Sequence, residues 1–174
     1  ATKGEIGDIW HWKSVRNLGQ IDDQFVDDPR YSADTPEAGR KSDPGGPEYA
    51  GFPLENGKPK FMNKDGLAAT AGGSYYIRRG NEVAFDDSRF KAGDEVASFI
   101  INGVKDDRAD IRVVASWKDG MHTSVVVRKL VTGSKFDVQW DNLDKRYAFG
   151  FAAFDNAQVR HATADDVMFL VFGK

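Results

Sequence analysis

The stretch VVASWKDGMHTSVVVRKL, residues 113–130, decides the fold class. On either side of Lys118-Asp119-Gly120 runs a short segment rich in β-branched residues, with side chains alternating at a period of two. That is the period of a strand rather than a helix. Two such runs joined through Asp-Gly read as a hairpin, with the glycine at a position that needs a positive φ. The sheet it begins is therefore antiparallel.

Working outward, the same grammar recurs. GSYYIRRG (73–80), EVASFIING (95–103), RYAFGFAAF (146–154) and DVMFLVFG (166–173) are short, aromatic or β-branched, and bounded by Gly, Asp and Asn. DIWHWKSV (8–15) alternates in the same way and predicts an early strand with an aromatic face. Long helical periodicity is missing. Six to eight strands at this spacing predict an all-β fold, an antiparallel β-sandwich of jelly-roll or immunoglobulin-like kind with little helix. At 174 residues the chain has the length of one domain, 1–174, with enough sequence to bury a core.

Between Gln20 and Gly72 the apolar pattern thins, and all six prolines fall there. The reading is a loop of more than about 30 residues, a length that is uncommon unless functional or disordered. Tyr31, Tyr49, Phe52, Phe61 and Met62 punctuate it, which predicts an ordered loop covering something. Met62 stands out, an apolar side chain in the polar run GKPKFMNKDG (57–66). Either it anchors the loop by burial or it offers a thioether to a metal.

Charge and composition exclude several functions. With 24 basic and 27 acidic residues well mixed and a net charge of −3, there is no basic footprint for nucleic acid or a membrane surface. Cysteine is absent, so disulfides, thiolate metal sites, cysteine nucleophiles and covalent c-type haem attachment are excluded. No apolar run is long enough to span a membrane. The Ala1-Thr2 start without Met reads as a processed terminus, consistent with a removed secretory signal.

The residues alone leave the chemistry open. His11 sits between two tryptophans and His122 follows the hairpin turn, both readable as ordinary packed or surface histidines. His161, in a small-residue connection before the last strand, is better placed to be aimed into a pocket. IDDQFVDD (21–28) places Asp22, Asp23, Asp27 and Asp28 around Phe25, a solvated turn with capping aspartates or, less simply, a structural cation site. Trp10, Trp12, Tyr75, Tyr76 and Trp140 form either core or a sugar-stacking platform. No phosphate loop, dinucleotide fingerprint or nucleophile elbow occurs.

Five motifs in order carry a family likeness: GDIWHWKSVRNLGQIDDQF, AGRKSDPGGP, PKFM, ASWKDGMHTSVVVRKL and YAFGFAAFDNAQVRHA. Together they cover nearly the whole chain, which resembles the haem-binding domain shared by the ethylbenzene dehydrogenase γ subunit and related periplasmic cytochromes. The resemblance implies a β-sandwich holding one non-covalent haem b, periplasmic location and single-electron transfer. Its implied partner is a redox protein such as a molybdenum oxidoreductase or a c-type cytochrome. The family's methionine ligand, in a P-x-x-M segment, falls on Met62. Its second ligand is a lysine near the C-terminus, but here no lysine lies between Arg146 and Gly173 and His161 occupies that region, so His161 is the implied second ligand. Arg78 and Arg79 are candidates for pairing a haem propionate. A carbohydrate-binding module and a haem sensor or storage module are the rival readings.

Overall fold

The structure is a computed structural model, and the residues described are 6–17, 19–26, 40–155 and 161–173. They form sixteen short strands: β1 Gly7–His11, β2 Asp22–Val26, β3 Arg40–Ser42, β4 Tyr49–Gly51, β5 Leu54–Glu55, β6 Lys58–Pro59, β7 Phe61–Asn63, β8 Ile77–Arg78, β9 Glu82–Ala84, β10 Phe99–Ile101, β11 Arg112–Lys118, β12 Met121–Val127, β13 Arg146–Phe149, β14 Ala152–Ala153, β15 Ala162–Thr163 and β16 Met168–Val171. Helix is confined, among the described residues, to three single 3₁₀ turns at Ala69–Ala71, Asp87–Arg89 and Asp106–Ala109. The all-β expectation is met. The strands pair as two- and three-stranded ladders, almost all antiparallel, with β8 beside β10 the parallel exception among the described residues.

The hairpin is as read. β11 and β12 pair from Arg112↔Val127 to Lys118↔Met121, leaving a two-residue loop in which Asp119 has φ 52° and Gly120 φ 78°. Two successive positive φ values make the tight turn whose twist matches the flanking strands.

The long-loop expectation needs correction. Near its start Asp22–Val26 form β2, and residues 27–39 lie outside the described residues. From Arg40 to Asn63 the chain forms β3 to β7, which are two or three residues each. Strands that short complete hardly one alternation, so the period that marks a strand never develops in the sequence.

The core is divided. Ile21, Ile111 and Val113 pack with Trp10, Trp12 and Ala115, while Ile77, Ala97 and Ile100 pack with Phe52 and Phe61. Between β1, β2 and β3 lies a polar interior. Asp22 and Asp23, expected in a solvated turn, are instead buried on β2, and Asp27 and Asp28 lie outside the described residues. Asp22 is held by Lys13 Nζ at 3.0 Å and by the Arg108 guanidinium at 2.5 Å. Burial raises its pKa, but the hydrogen bonds from Arg108 and Lys13 prevail and hold it below the usual carboxylate range. Lys13 also donates to Glu48 at 2.6 Å, tying β1 to the segment before β4.

Trp10 and Trp140 do not form a platform. Their rings lie 5.5 Å apart and both contact the Arg128 guanidinium, which is 5.4 Å from one centroid and 5.0 Å from the other. Both are structural, which leaves a sugar-stacking surface without its central pair.

Candidate functional site

His161 immediately precedes β15. The pairing Ala153↔Ala162 sets Phe154 opposite His161, and their rings meet with centroids 3.6 Å apart at 35°. Small residues on both strands let the aromatic and the imidazole approach this closely. His161 Nδ1 is buried without a hydrogen-bond partner. His11, at the end of β1, approaches the same Phe154 ring at 5.9 Å. Desolvation, then the charges of Lys13 and Arg40, lowers the His11 pKa to about 4, so its imidazole is neutral at physiological pH and keeps a lone pair for a metal. His122 is exposed on β12, its ring 6.4 Å from Trp12.

Met62 is central in β7, opposite Val83 of β9, and only 5% exposed. Its neighbour Phe61 packs on the cluster of Ile77, Ala97 and Ile100, so strand alternation turns the thioether to the other face. No strand pairing, ring contact or pocket wall among the described residues joins Met62 to His161. Arg78 is exposed on β8. Arg79 already spends its guanidinium on Asn102 Oδ1 at 2.7 Å and Glu82 at 2.9 Å. It borders an open polar cavity of about 510 Å³ with Gly45, Pro47 and Lys105.

An apolar depression of about 430 Å³ lies on the other face of the β14–β15 ladder, lined by Phe149, Phe151, Ala153, Ala162, Ala164 and Met168. Its sequence signal is the alternation of Phe149, Phe151 and Ala153 in RYAFGFAAF, legible as a strand face but not as a cavity. The adjoining β13–β16 ladder also leaves Phe169 and Val171 half or more exposed. Large apolar side chains left open over several strands mark a surface that another group or molecule covers.

The candidate donors are the imidazole nitrogens of His161 and His11 beside Phe154 and, separately on β7, the thioether of Met62, with no thiolate anywhere in the chain. A family model described as ethylbenzene dehydrogenase matches residues 1–165. The chain belongs to the ethylbenzene dehydrogenase family. That places this ethylbenzene dehydrogenase family member among proteins named for an oxidoreductase, and it agrees with the likeness carried by the five sequence motifs. No curated protein and no solved structure matches the chain. Among the described residues no helix is long and apolar enough to cross a membrane.

Proposed function

We propose that this chain is a periplasmic, haem-binding electron-transfer subunit, itself non-catalytic, that serves a redox partner. The observation that carries the reading is the buried Nδ1 of His161, an imidazole nitrogen without a partner and pressed against Phe154, in a chain of this family. A buried polar atom left unpaired costs free energy on the order of 1–3 kcal/mol, and ligation or a hydrogen bond offsets it. When bound, haem b would supply one-electron redox chemistry, held without covalent attachment because the chain has no cysteine.

The chain's own residues supply the rest. His161 provides the strong nitrogen donor, and Met62 the soft sulfur donor that favours reduced iron and raises the potential. Two protein ligands leave no open coordination position, which suits electron transfer better than oxygen or substrate chemistry. Phe154 shields the His161 imidazole from water and keeps its surroundings of low polarity. Arg78 and Arg79 are the cations proposed for the propionates, Arg79 by exchanging its Glu82 partner. The exposed apolar strands β13 and β16 offer the redox partner, a molybdenum oxidoreductase or a c-type cytochrome, a surface to dock on.

A second ligand reading has its own support. His11 and His161 both face Phe154, so a bis-histidine site would draw on residues already near one another. The first experiment is a spectrum of the purified chain. A red protein with a sharp reduced α band, whose haem passes into acidified organic solvent, is expected. Colourless protein that takes up no added haem would overturn the reading.

A further inference from the structure

Five carboxyl side chains converge behind β2 and none belongs to the haem proposal. Asp23 on β2, Asp43 just after β3 and Asp137 between β12 and β13 are 1%, 3% and 8% exposed. They bring one carboxylate oxygen each to within 4.8 Å of one another. Asp8 on β1 and Asp110 before β11 stand beside them, their charges acting on Asp23. Both oxygens of Asp43, both of Asp110, Oδ2 of Asp23, and Oδ1 of Asp8 and Asp137 are buried without a hydrogen-bond partner.

Among the described residues positive charge is too scarce to balance this. Arg128 Nη2 lies 3.1 Å from both Asp8 Oδ2 and Asp137 Oδ2, and Lys13 and Arg108 are occupied with Asp22. Asp23, Asp43 and Asp110 have no ion pair among the described residues. Buried carboxylates in that position must take up either protons or a cation. The donors are all hard oxygens, come from three separate segments, and sit in the interior of the protein. Calcium bonds 6–8 such oxygens at about 2.3–2.6 Å, so ligands of one ion lie up to about 5 Å apart, whereas magnesium keeps several waters and uses one or two carboxylates.

The frame around the cluster is already ordered. Asp43 N–H donates to the Asp23 carbonyl at 3.1 Å, and Val138 N–H donates to Asp8 Oδ2 at 3.0 Å. Gln139 Nε2 holds the Thr132 hydroxyl and the Ser134 carbonyl, both at 3.0 Å, which fixes the loop that presents Asp137.

We propose that Asp23, Asp43 and Asp137 bind one calcium ion, with Asp8 and Asp110 close by, and that the ion ties β2 and the turn after β3 to the segment leading into β13. The site is independent of the haem.

The test uses the full chain, stripped with EDTA and desalted, then titrated with calcium chloride at pH 7.5. Calorimetric saturation at one equivalent is expected, with Tm rising by roughly 5–10 °C at calcium a hundredfold above Kd. Asp43→Asn should weaken calcium binding at least tenfold and remove about half of that rise or more. In EDTA it should be no less stable than the parent, because the neutral amide removes one charge from the repulsion among Asp23, Asp43 and Asp137. Elemental analysis of the same samples counts calcium and iron separately, so failure of this proposal and failure of the haem reading are distinguishable. No calcium uptake, with Tm indifferent to calcium and EDTA, would show that the cluster is filled by protons and overturn the proposal. Magnesium acting as strongly as calcium would overturn the calcium assignment.

Discussion

Arg128 Nη2 sits 3.1 Å from Asp137 Oδ2 with both side chains 1% exposed, and the guanidinium lies against the rings of both Trp10 and Trp140. One arginine thus joins the end of β12 to β1 and to the acidic interior. Removing it leaves two buried carboxylates, Asp8 and Asp137, without their cation. Arg128→Met should cost about 3–5 kcal/mol, the usual penalty for breaking a buried ion pair from one side. Arg128→Lys should recover part of this, since the charge returns but the planar stack does not. Urea denaturation of the three proteins checks it, and equal stability of Arg128→Met and parent would contradict the role assigned to Arg128.

The acidic interior also predicts a pH dependence. Desolvation, joined by neighbouring aspartate charges, raises Asp43 to about 7 and Asp23 to about 9. Asp8 rises to about 6, burial outweighing Arg128, and Asp110 is raised as well. Each such carboxyl holds its proton in the folded chain where the unfolded chain has released it. Its contribution is complete below the ordinary value of 3.8 and is lost as pH climbs through the folded value. His11 and Asp22, both lowered, work the other way, with His11 losing its contribution as pH falls from 6.5 towards 4 and Asp22 losing its own in acid below 3.8. Above about pH 6.5 only Asp23, Asp43 and their raised neighbours remain. In EDTA, Tm should therefore fall between pH 6.5 and 9, and Asp43→Asn should flatten that slope. A Tm that rises across this window in EDTA would contradict the protonation pattern.

These aspartates also show where sequence reading stops. The hairpin was legible because its evidence is local, an Asp-Gly turn between alternating runs. Asp22 and Asp23 stand in a polar octet that reads as a solvated turn. Their interior neighbours are Lys13, Arg108 and Asp137, up to 114 positions away, and no local period encodes such neighbours. The short strands β3 to β7 were missed for a related reason, being held by pairing rather than by pattern. Trp10 and Trp140 were legible as aromatic positions, while the cation that contacts both was not. Of the haem-site residues, the family motif picks out Met62 and the position of His161. Only the fold shows that His11 shares Phe154 with His161.

Gly45 and Gly46 allow a direct comparison of close approach with backbone strain. A Cβ on Gly45 would overlap the Lys105 carbonyl and lie 2.6 Å from the Arg108 Cβ, in the turn whose arginine holds Asp22. At Gly46, φ is 79° but a Cβ meets nothing within 4 Å. Gly46→Ala should cost about 1 kcal/mol from conformation alone. Gly45→Ala should cost about 1–3 kcal/mol more from overpacking, because the contact is with backbone that cannot rotate away. Similar denaturation midpoints for the two variants would show that the turn carrying Lys105 yields easily.

The axial ligands are tested by three separate substitutions in haem-loaded protein: Met62→Ala, His161→Ala and His11→Ala. With His161 and Met62 as the pair, losing the thioether leaves haem on the stronger imidazole, with a high-spin ferric spectrum, a lower potential and new affinity for carbon monoxide or cyanide. His161→Ala should shed haem readily, since a thioether alone is a weak anchor for a group with no covalent tether. His11→Ala should then leave the low-spin spectrum intact. A bis-histidine site reverses the last two roles that matter: Met62→Ala stays low-spin, and His11→Ala opens the coordination position. Since Met62 is buried in a strand and both histidines contact the Phe154 ring, all three substitutions also perturb packing, so spectrum rather than stability is the deciding measurement. Retention of a parental low-spin spectrum by His161→Ala would remove His161 from the site altogether, whichever partner the iron has.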